Sequence, residues 1–469
     1  MTVELPDRRT MKTSDIMKRF LLIALAAICQ SPFSQAAGDR VITEKDSHEI
    51  ASYFNGYLSG DKSLYGVSSR LGTSAAVQAR EQVWKIWKEA VERFYDEGLP
   101  PLRALRDSVP GQWTLPSSLE PDAVMPFYWG SKGEKPDHGY PMFLYLHGSG
   151  PKDREWSNGF RFGNTFEDTP SVYFIPQIPN EWEWYRWWQK SKQYAWEKLL
   201  RLALACGDID PNRIYFFGIS EGGYGSQRLA SYYADYLAGA GPMAGGEPLR
   251  NAPPENCASI AFSFRTGAVD KGFYRNELTA YAGEVFDSLR TARPGFYTHE
   301  IELIPGMGHH IDYTRTTPWL AEHVRDPYPR YVYWEDFEMD GLYRDGFYNL
   351  QVLERSNQDF SSRTRYEMTI EDNTVNVNVD LVSYTVTERD PVYGIEMRYS
   401  KSLSPATSGE FIVYLNDYLI DPSKKVTVNV NGATVFEGRL RADIRNMVSS
   451  CALFGDPERI FPYAVKVSL

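Results

Sequence analysis

One pattern constrains this chain more than any other: between residues 112 and 322, short apolar runs alternate with stretches of helical period. The runs at 142–146, 171–175 and 214–217 are almost entirely aliphatic or aromatic and stop near Gly148, Pro176 and Gly218. Helical patterns at 189–205 and 222–234 stand between or after them, and 236–243, 259–265 and 299–304 supply three more strand candidates. Apolar strands alternating with helices predict a mostly parallel sheet with helices on both faces. In such sheets ligands bind beyond the carboxyl ends of the strands.

The flanking regions read differently. Over 75–96, Val77, Val83, Ile86, Trp87, Ala90, Val91 and Phe94 recur at spacings of three and four, which makes one apolar helix face, and Gly98, Pro100 and Pro101 end it. Residues 38–111 are therefore expected as a helical lead-in packed on the central domain of 112–325. Beyond 330 the period changes: 373–381 alternates polar and apolar, and 426–436 reads as a hairpin with Asn431-Gly432 at its turn. A C-terminal β-sandwich-like domain is predicted over 330–469, approached through Pro318, Pro327 and Pro329. A chain of 469 residues, 42% hydrophobic and 24% charged, is long enough for such a division and too apolar for a disordered one.

The N-terminus has the order of an export signal. Lys18 and Arg19 precede an apolar run of about ten residues from Phe20, and Ser34, Ala36 and Ala37 suit cleavage after Ala36 or Ala37. That run is too short to span a bilayer, which needs about 20 residues, so no stable membrane insertion is expected. The signal is complete from Met17, and Cys29 offers a lipoprotein alternative that the bulky Ile28 fits poorly. The expected location is secreted or periplasmic. The formal net charge is −11, and removing residues 1–36, with five basic and three acidic side chains, deepens it to −13. Such a chain repels phosphate backbones, which argues against nucleic acid as a partner. Of four cysteines, Cys29 leaves with the signal, and Cys206 and Cys257 are open either to pair or to remain free thiols.

The chemistry concentrates on Gly218-Ile219-Ser220-Glu221-Gly222, a G-x-S-x-G motif that follows an apolar strand and opens a helix. A tight strand-to-helix turn tolerates only small residues two before and two after its centre and leaves the serine exposed at a helix N-terminus. Ser220 is thus the candidate nucleophile, but a serine needs a base. His309, after Gly306-Met307-Gly308 on the loop beyond the strand at 299–304, is the candidate, with His310 as its alternative. Asp270, after the run ending near Phe264, is the candidate acid partner. Asp287 competes for that role but sits in the middle of a helical pattern. The order Ser220, Asp270, His309 then follows the chain. An oxyanion needs two N–H donors. The backbone of Glu221 supplies one, and the His147-Gly148-Ser149-Gly150 loop supplies the other, at Ser149 or else Gly150. His147 itself reads as a structural loop residue.

The run from Asp210 to Gly225 resembles the elbow of the polyhydroxybutyrate-depolymerase and feruloyl-esterase-like branch of the α/β-hydrolases, and prolyl-oligopeptidase-type hydrolases carry a similar run. The resemblance covers about residues 120–325. It implies the α/β-hydrolase fold and hydrolysis of an ester, less often a peptide, with no metal and no cofactor. The acidic Glu221 departs from the commonest family pattern; a buried anion there would oppose an oxyanion, so its carboxylate is expected to point away or be paired. The aromatic segment Trp182, Trp184, Tyr185, Trp187 and Trp188 lies on the side where the site should open. Trp182, Trp184 and Tyr185 are its candidate substrate contacts, while Trp187, Trp188 and Trp196 suit the buried face of the next helix. The reading that results is a serine ester hydrolase acting on an acylated carbohydrate or a small ester, with a serine peptidase and a non-catalytic carbohydrate-binding protein as alternatives. The β-rich region is expected to be structural.

Overall fold

The computed structural model describes residues 41–469 apart from 358 and 360; the predicted export signal lies outside the described residues. Eight strands make the central sheet. They are β1 (Gly111–Thr114), β2 (Val124–Lys132), β3 (Tyr140–Leu146), β4 (Ser171–Pro176), β5 (Ile209–Ile219), β6 (Gly239–Met243), β7 (Ala261–Gly267) and β8 (His299–Ile304). Their spatial order is β1-β2-β4-β3-β5-β6-β7-β8. Strands β1, β2 and β4 pair antiparallel, and every pair from β4 onward is parallel. This order, with one early crossing between β3 and β4, is the α/β-hydrolase arrangement.

Continuous apolar sequence explains the sheet's centre. All seven residues of β3, all six of β4 and all seven of β7 are buried, as strands covered on both faces must be. Phe143, Tyr173, Tyr215 and Phe217 form an aromatic layer, with Phe143 stacked on Tyr173 and Tyr215 at ring centroid distances of 5.4 and 4.7 Å. Strands β1 and β2 escaped the sequence reading because β1 is four residues long and β2 only partly buried.

Helices α1 (Glu44–Leu58) and α2 (Thr73–Phe94) form the lead-in. Phe54 meets Trp87 edge-on at 5.0 Å, and both are fully buried. Helix α2 packs on helix Lys190–Ala205 of the central region and also on helix Ile444–Phe454 of the C-terminal region.

The C-terminal region holds a six-stranded and a four-stranded sheet. In the former, Thr374–Arg389 pairs antiparallel with both Ser362–Glu371 and Glu396–Pro405. Strands Val426–Val430 and Ala433–Gly438 form a hairpin whose turn residues, Asn431 and Gly432, both have positive φ (48° and 81°), as an Asn-Gly turn of this kind requires. Helix Ile444–Phe454 is an element the strand-like pattern of this region did not announce. Residues Glu44–Leu469 form one compact unit, so the β-rich region is a part of the same body. Five buried charges join it to the central region. Arg325 and Arg459 each donate to Asp456 at 2.8 Å, and Arg344 and Arg459 both pair with Asp235. Cys206 is exposed while Cys257 and Cys451 are buried, and all three are free thiols, so the open pairing of Cys206 with Cys257 is not made.

Candidate active site

Strand β5 ends at Ile219, and the helix Glu221–Tyr233 begins one residue later. Ser220 makes the whole connection, at φ 57° and ψ −113°. A positive φ is strained for a residue with a Cβ and marks positions whose surroundings enforce it. Here the enforcement is crowding. A Cβ on Gly222 would lie 1.8 Å from the carbonyl oxygen of Leu146 at the end of β3, so the helix approaches the sheet closely only because that residue is glycine. Ser220 N–H donates to the Met243 carbonyl at 2.9 Å, which ties the turn to β6.

The other two residues arrive from the ends of β7 and β8. His309 Nε2 lies 3.0 Å from Ser220 Oγ, and His309 Nδ1 lies 2.8 Å from Asp270 Oδ2. The loops meet because a second glycine permits it: a Cβ on Gly267 would fall 2.0 Å from the Gly308 carbonyl oxygen. Burial raises the Asp270 carboxyl's pKa, but hydrogen bonds from Arg275 and His309 outweigh it and hold the group below its ordinary value. An ionised carboxylate only accepts hydrogen bonds, so Nδ1 carries the ring proton and Nε2 is left to accept from the Ser220 hydroxyl. His310 is exposed and its ring centroid is 6.0 Å from that of His309. Asp287 lies within helix Arg275–Ala292 and is paired with Arg290 and His299.

Sequence reasoning missed Arg275. Its Nε and Nη2 donate to the two oxygens of Asp270 at 2.8 and 2.6 Å, a bidentate grip that fixes the carboxylate's plane. Phe273 and Tyr274, between the pair, both adopt left-handed φ (51° and 58°), and this fold-back is what brings Arg275 onto Asp270. No motif encodes it.

The loop after β3 lies against the serine. An ideal Cβ on Gly148 would be 3.4 Å from Ser220 Cβ, and Ser149, Ser220 and Glu221 line the same cavity. His147 anchors the loop from behind. It is fully buried, accepts from the Ile178 N–H at 3.1 Å and is bonded to the Gly148 carbonyl at 2.8 Å. Burial pushes its pKa down to about 4, so it stays neutral. Glu221 is buried; its Oε2 lies 3.3 Å from Arg186, while Oε1 has no partner among the described residues. Burial raises its pKa to about 7 against the opposing pull of Arg186. Its carboxylate is therefore paired on one side only.

The cavity has a volume of about 760 Å³, a size suited to a small-molecule site. Its walls carry Trp188, Arg228, Asn251, Tyr393 and Glu396 besides the residues above. Of the candidate substrate contacts, Trp182, Trp184 and Tyr185, none lines it. Trp182 is 84% exposed. Trp184 stands over Lys192, 5.7 Å from its ring centroid. Tyr185 is buried, and its hydroxyl donates to the Gly148 carbonyl at 2.7 Å and lies 3.2 Å from that of Gly150, so it braces the loop. Trp187 and Trp196 are fully buried, and Trp188 faces the cavity beneath Arg228. Among the described residues no group of three or more His, Cys, Asp or Glu is placed to hold a metal ion, and no helix is long and apolar enough to cross a membrane.

No protein-family model matches the chain, and no curated protein sequence matches it. Solved structures similar to it include several esterases. A thermostable esterase is 20% identical, with a TM-score of 0.35, over 47% of this chain and 64% of its own length. A ferulic acid esterase is 15% identical with a TM-score of 0.35, over 46% of this chain and 98% of its own. A carboxylesterase from Mesorhizobium loti is 17% identical with a TM-score of 0.32, over 44% and 98%. This chain thus spans under two thirds of the first of these.

Proposed function

We propose that this chain is an exported serine ester hydrolase that cleaves acyl esters of carbohydrates or small alcohols through an acyl-enzyme. The contact series Ser220–His309–Asp270, at 3.0 and 2.8 Å, carries the proposal. Ser220 Oγ attacks the ester carbonyl carbon while His309 Nε2 takes its proton. Asp270, held by Arg275, keeps Nδ1 protonated and stabilises the imidazolium. The backbone N–H groups of Glu221 and Ser149 receive the oxyanion. Collapse expels the alcohol, which leaves with the proton from His309. Water then adds to the acyl-enzyme by the same route, and the carboxylic acid departs. A cavity of about 760 Å³ with polar walls supports a hydroxylated leaving group over a long apolar chain. The apolar segment from Phe20 supports export.

Hydrolysis of acetyl, feruloyl and p-nitrophenyl esters, followed at constant pH for the wild type and Ser220→Ala, tests this. Turnover of at least one ester, lost in the variant, is expected. No turnover of any would refute the ester reading, and faster cleavage of aminoacyl-arylamides would make the chain a peptidase.

A further inference from the structure

Two aromatic side chains stand open at the cavity that Ser220 lines. Phe273 is 52% exposed and Tyr393 59% exposed, and their ring centroids are 5.0 Å apart. Phe273 lies three residues after Asp270, whereas Tyr393 lies on the turn between strands Thr374–Arg389 and Glu396–Pro405, from the β-rich region. Large apolar rings left in water at the rim of a cavity mark a contact surface.

Both are held in place before anything binds. Asp390 accepts from the backbone N–H groups of Val392, Tyr393 and Ile395 at 2.8, 3.0 and 2.7 Å, and Arg389 donates to the Gly394 carbonyl at 2.6 Å. The Tyr274 ring meets that of Tyr393 edge-on at 6.4 Å, which sets the turn against the Asp270 loop. On that loop Phe273 and Tyr274 occupy left-handed conformations that bulky residues rarely adopt, the kind of strain that functional sites retain. Fixed rings cost little to order on binding.

The rest of the wall says what the rings meet. Arg228, Arg250, Asn251, Asp340 and Glu396 present planar polar groups, and aliphatic side chains are few. A ligand that suits both has one flat face of C–H groups and an edge of hydroxyls. An acyl chain offers no hydroxyls, and a plain aryl ring offers none either. We propose that Phe273 and Tyr393 form a platform that stacks a pyranose ring of the substrate's alcohol part, so that the β-rich region sets specificity. The proposal rests on the ester-hydrolase reading.

Tyr393→Ala is the clean variant, because the side chain is exposed and remote from Asp270 in sequence. The probes are mono-O-acetylated methyl xylopyranoside and methyl glucopyranoside, which keep their other hydroxyls free, with ethyl acetate as the ringless acetyl ester. The ratio of kcat/KM for the sugar esters to that for ethyl acetate should fall about tenfold, mainly through KM, the size of loss expected for one stacking contact. Tyr393→Trp should restore it. An unchanged ratio would overturn the platform, and so would an equal or larger loss on phenyl acetate. If the wild type hydrolyses none of these esters, the ester reading fails instead. Calorimetry with xylohexaose then decides the platform alone: binding weakened by Tyr393→Ala supports it, and binding that is absent or unchanged refutes it.

Discussion

The cavity's two walls are built by different means. On the central-sheet side Ser149 and Ser220 line the cavity; these two, and the His309 and Asp270 that join in series to Ser220, each follow the end of a parallel strand, and glycines within a few residues of them let the backbones crowd together. On the β-rich side Arg363 and Glu396 are held by partners far away in sequence, Arg363 by Glu335 at 2.7 Å and Glu396 by Arg250 at 3.2 Å, while the turn that carries Tyr393 is closed locally by Asp390. The Arg344–Asp235–Arg459–Asp456–Arg325 network crosses between the regions, almost wholly buried. Local crowding makes a reactive geometry, while long-range pairing makes a shape. Changes on the first wall should therefore abolish rate and spare stability, and changes to the network between the regions should do the reverse.

The largest effect belongs to the reactive wall. Ser220→Ala or His309→Ala should each lower kcat by about 10⁵–10⁶, with the double variant little worse, because the residues act as a unit. Unfolding midpoints in urea should hardly move. Additive losses would contradict a shared mechanism. Asp270→Asn comes next, with an expected loss of about 10⁴ in kcat at pH 7, since the amide favours the wrong tautomer of His309. A loss under tenfold would mean that Asp270 does not orient the ring.

Where the two regions join, the readout is stability. Arg459→Met leaves Asp235 and Asp456 each short of a partner in a fully buried setting, and removing one member of such a network costs about 3–5 kcal/mol. Urea denaturation should show that loss in one cooperative transition. A midpoint equal to the wild type's would mean that apolar packing alone joins the regions. For the same reason a chain ending at Arg330 should not fold, and a folded, active fragment would break the comparison.

The smallest effect concerns Glu221, where the walls meet. With its pKa raised to about 7, it is mostly neutral below that pH and anionic above it. An anion beside the oxyanion opposes the reaction, with Arg186 and Arg228 offsetting part of the charge and Glu247 adding to it. In the wild type kcat should fall by about three- to tenfold as pH rises from 6 to 8 relative to Glu221→Gln. Coincident pH profiles would show that the carboxylate is electrostatically silent.

The same contrast explains what could be read from the sequence. Strands β3, β4 and β5 were legible because their apolar runs are continuous, and Ser220 because crowding demands glycine at both flanks. Arg275 was not, because its approach to Asp270 depends on two left-handed residues that no propensity favours. The aromatic segment at 182–188 announced a binding surface by composition alone. Its aromatic members divide between solvent, core and loop support, and of those rings Trp188 alone reaches the cavity. Tyr393 was invisible, because nothing local says that a turn some 120 residues beyond Asp270 returns to the site.

The most direct test is covalent labelling of the intact protein with a fluorophosphonate, followed by peptide mass spectrometry. One adduct on Ser220 is expected, absent in Ser220→Ala and slowed at least a hundredfold in His309→Ala. No adduct on the wild-type chain, or equal labelling of the histidine variant, would contradict an activated hydroxyl at this turn.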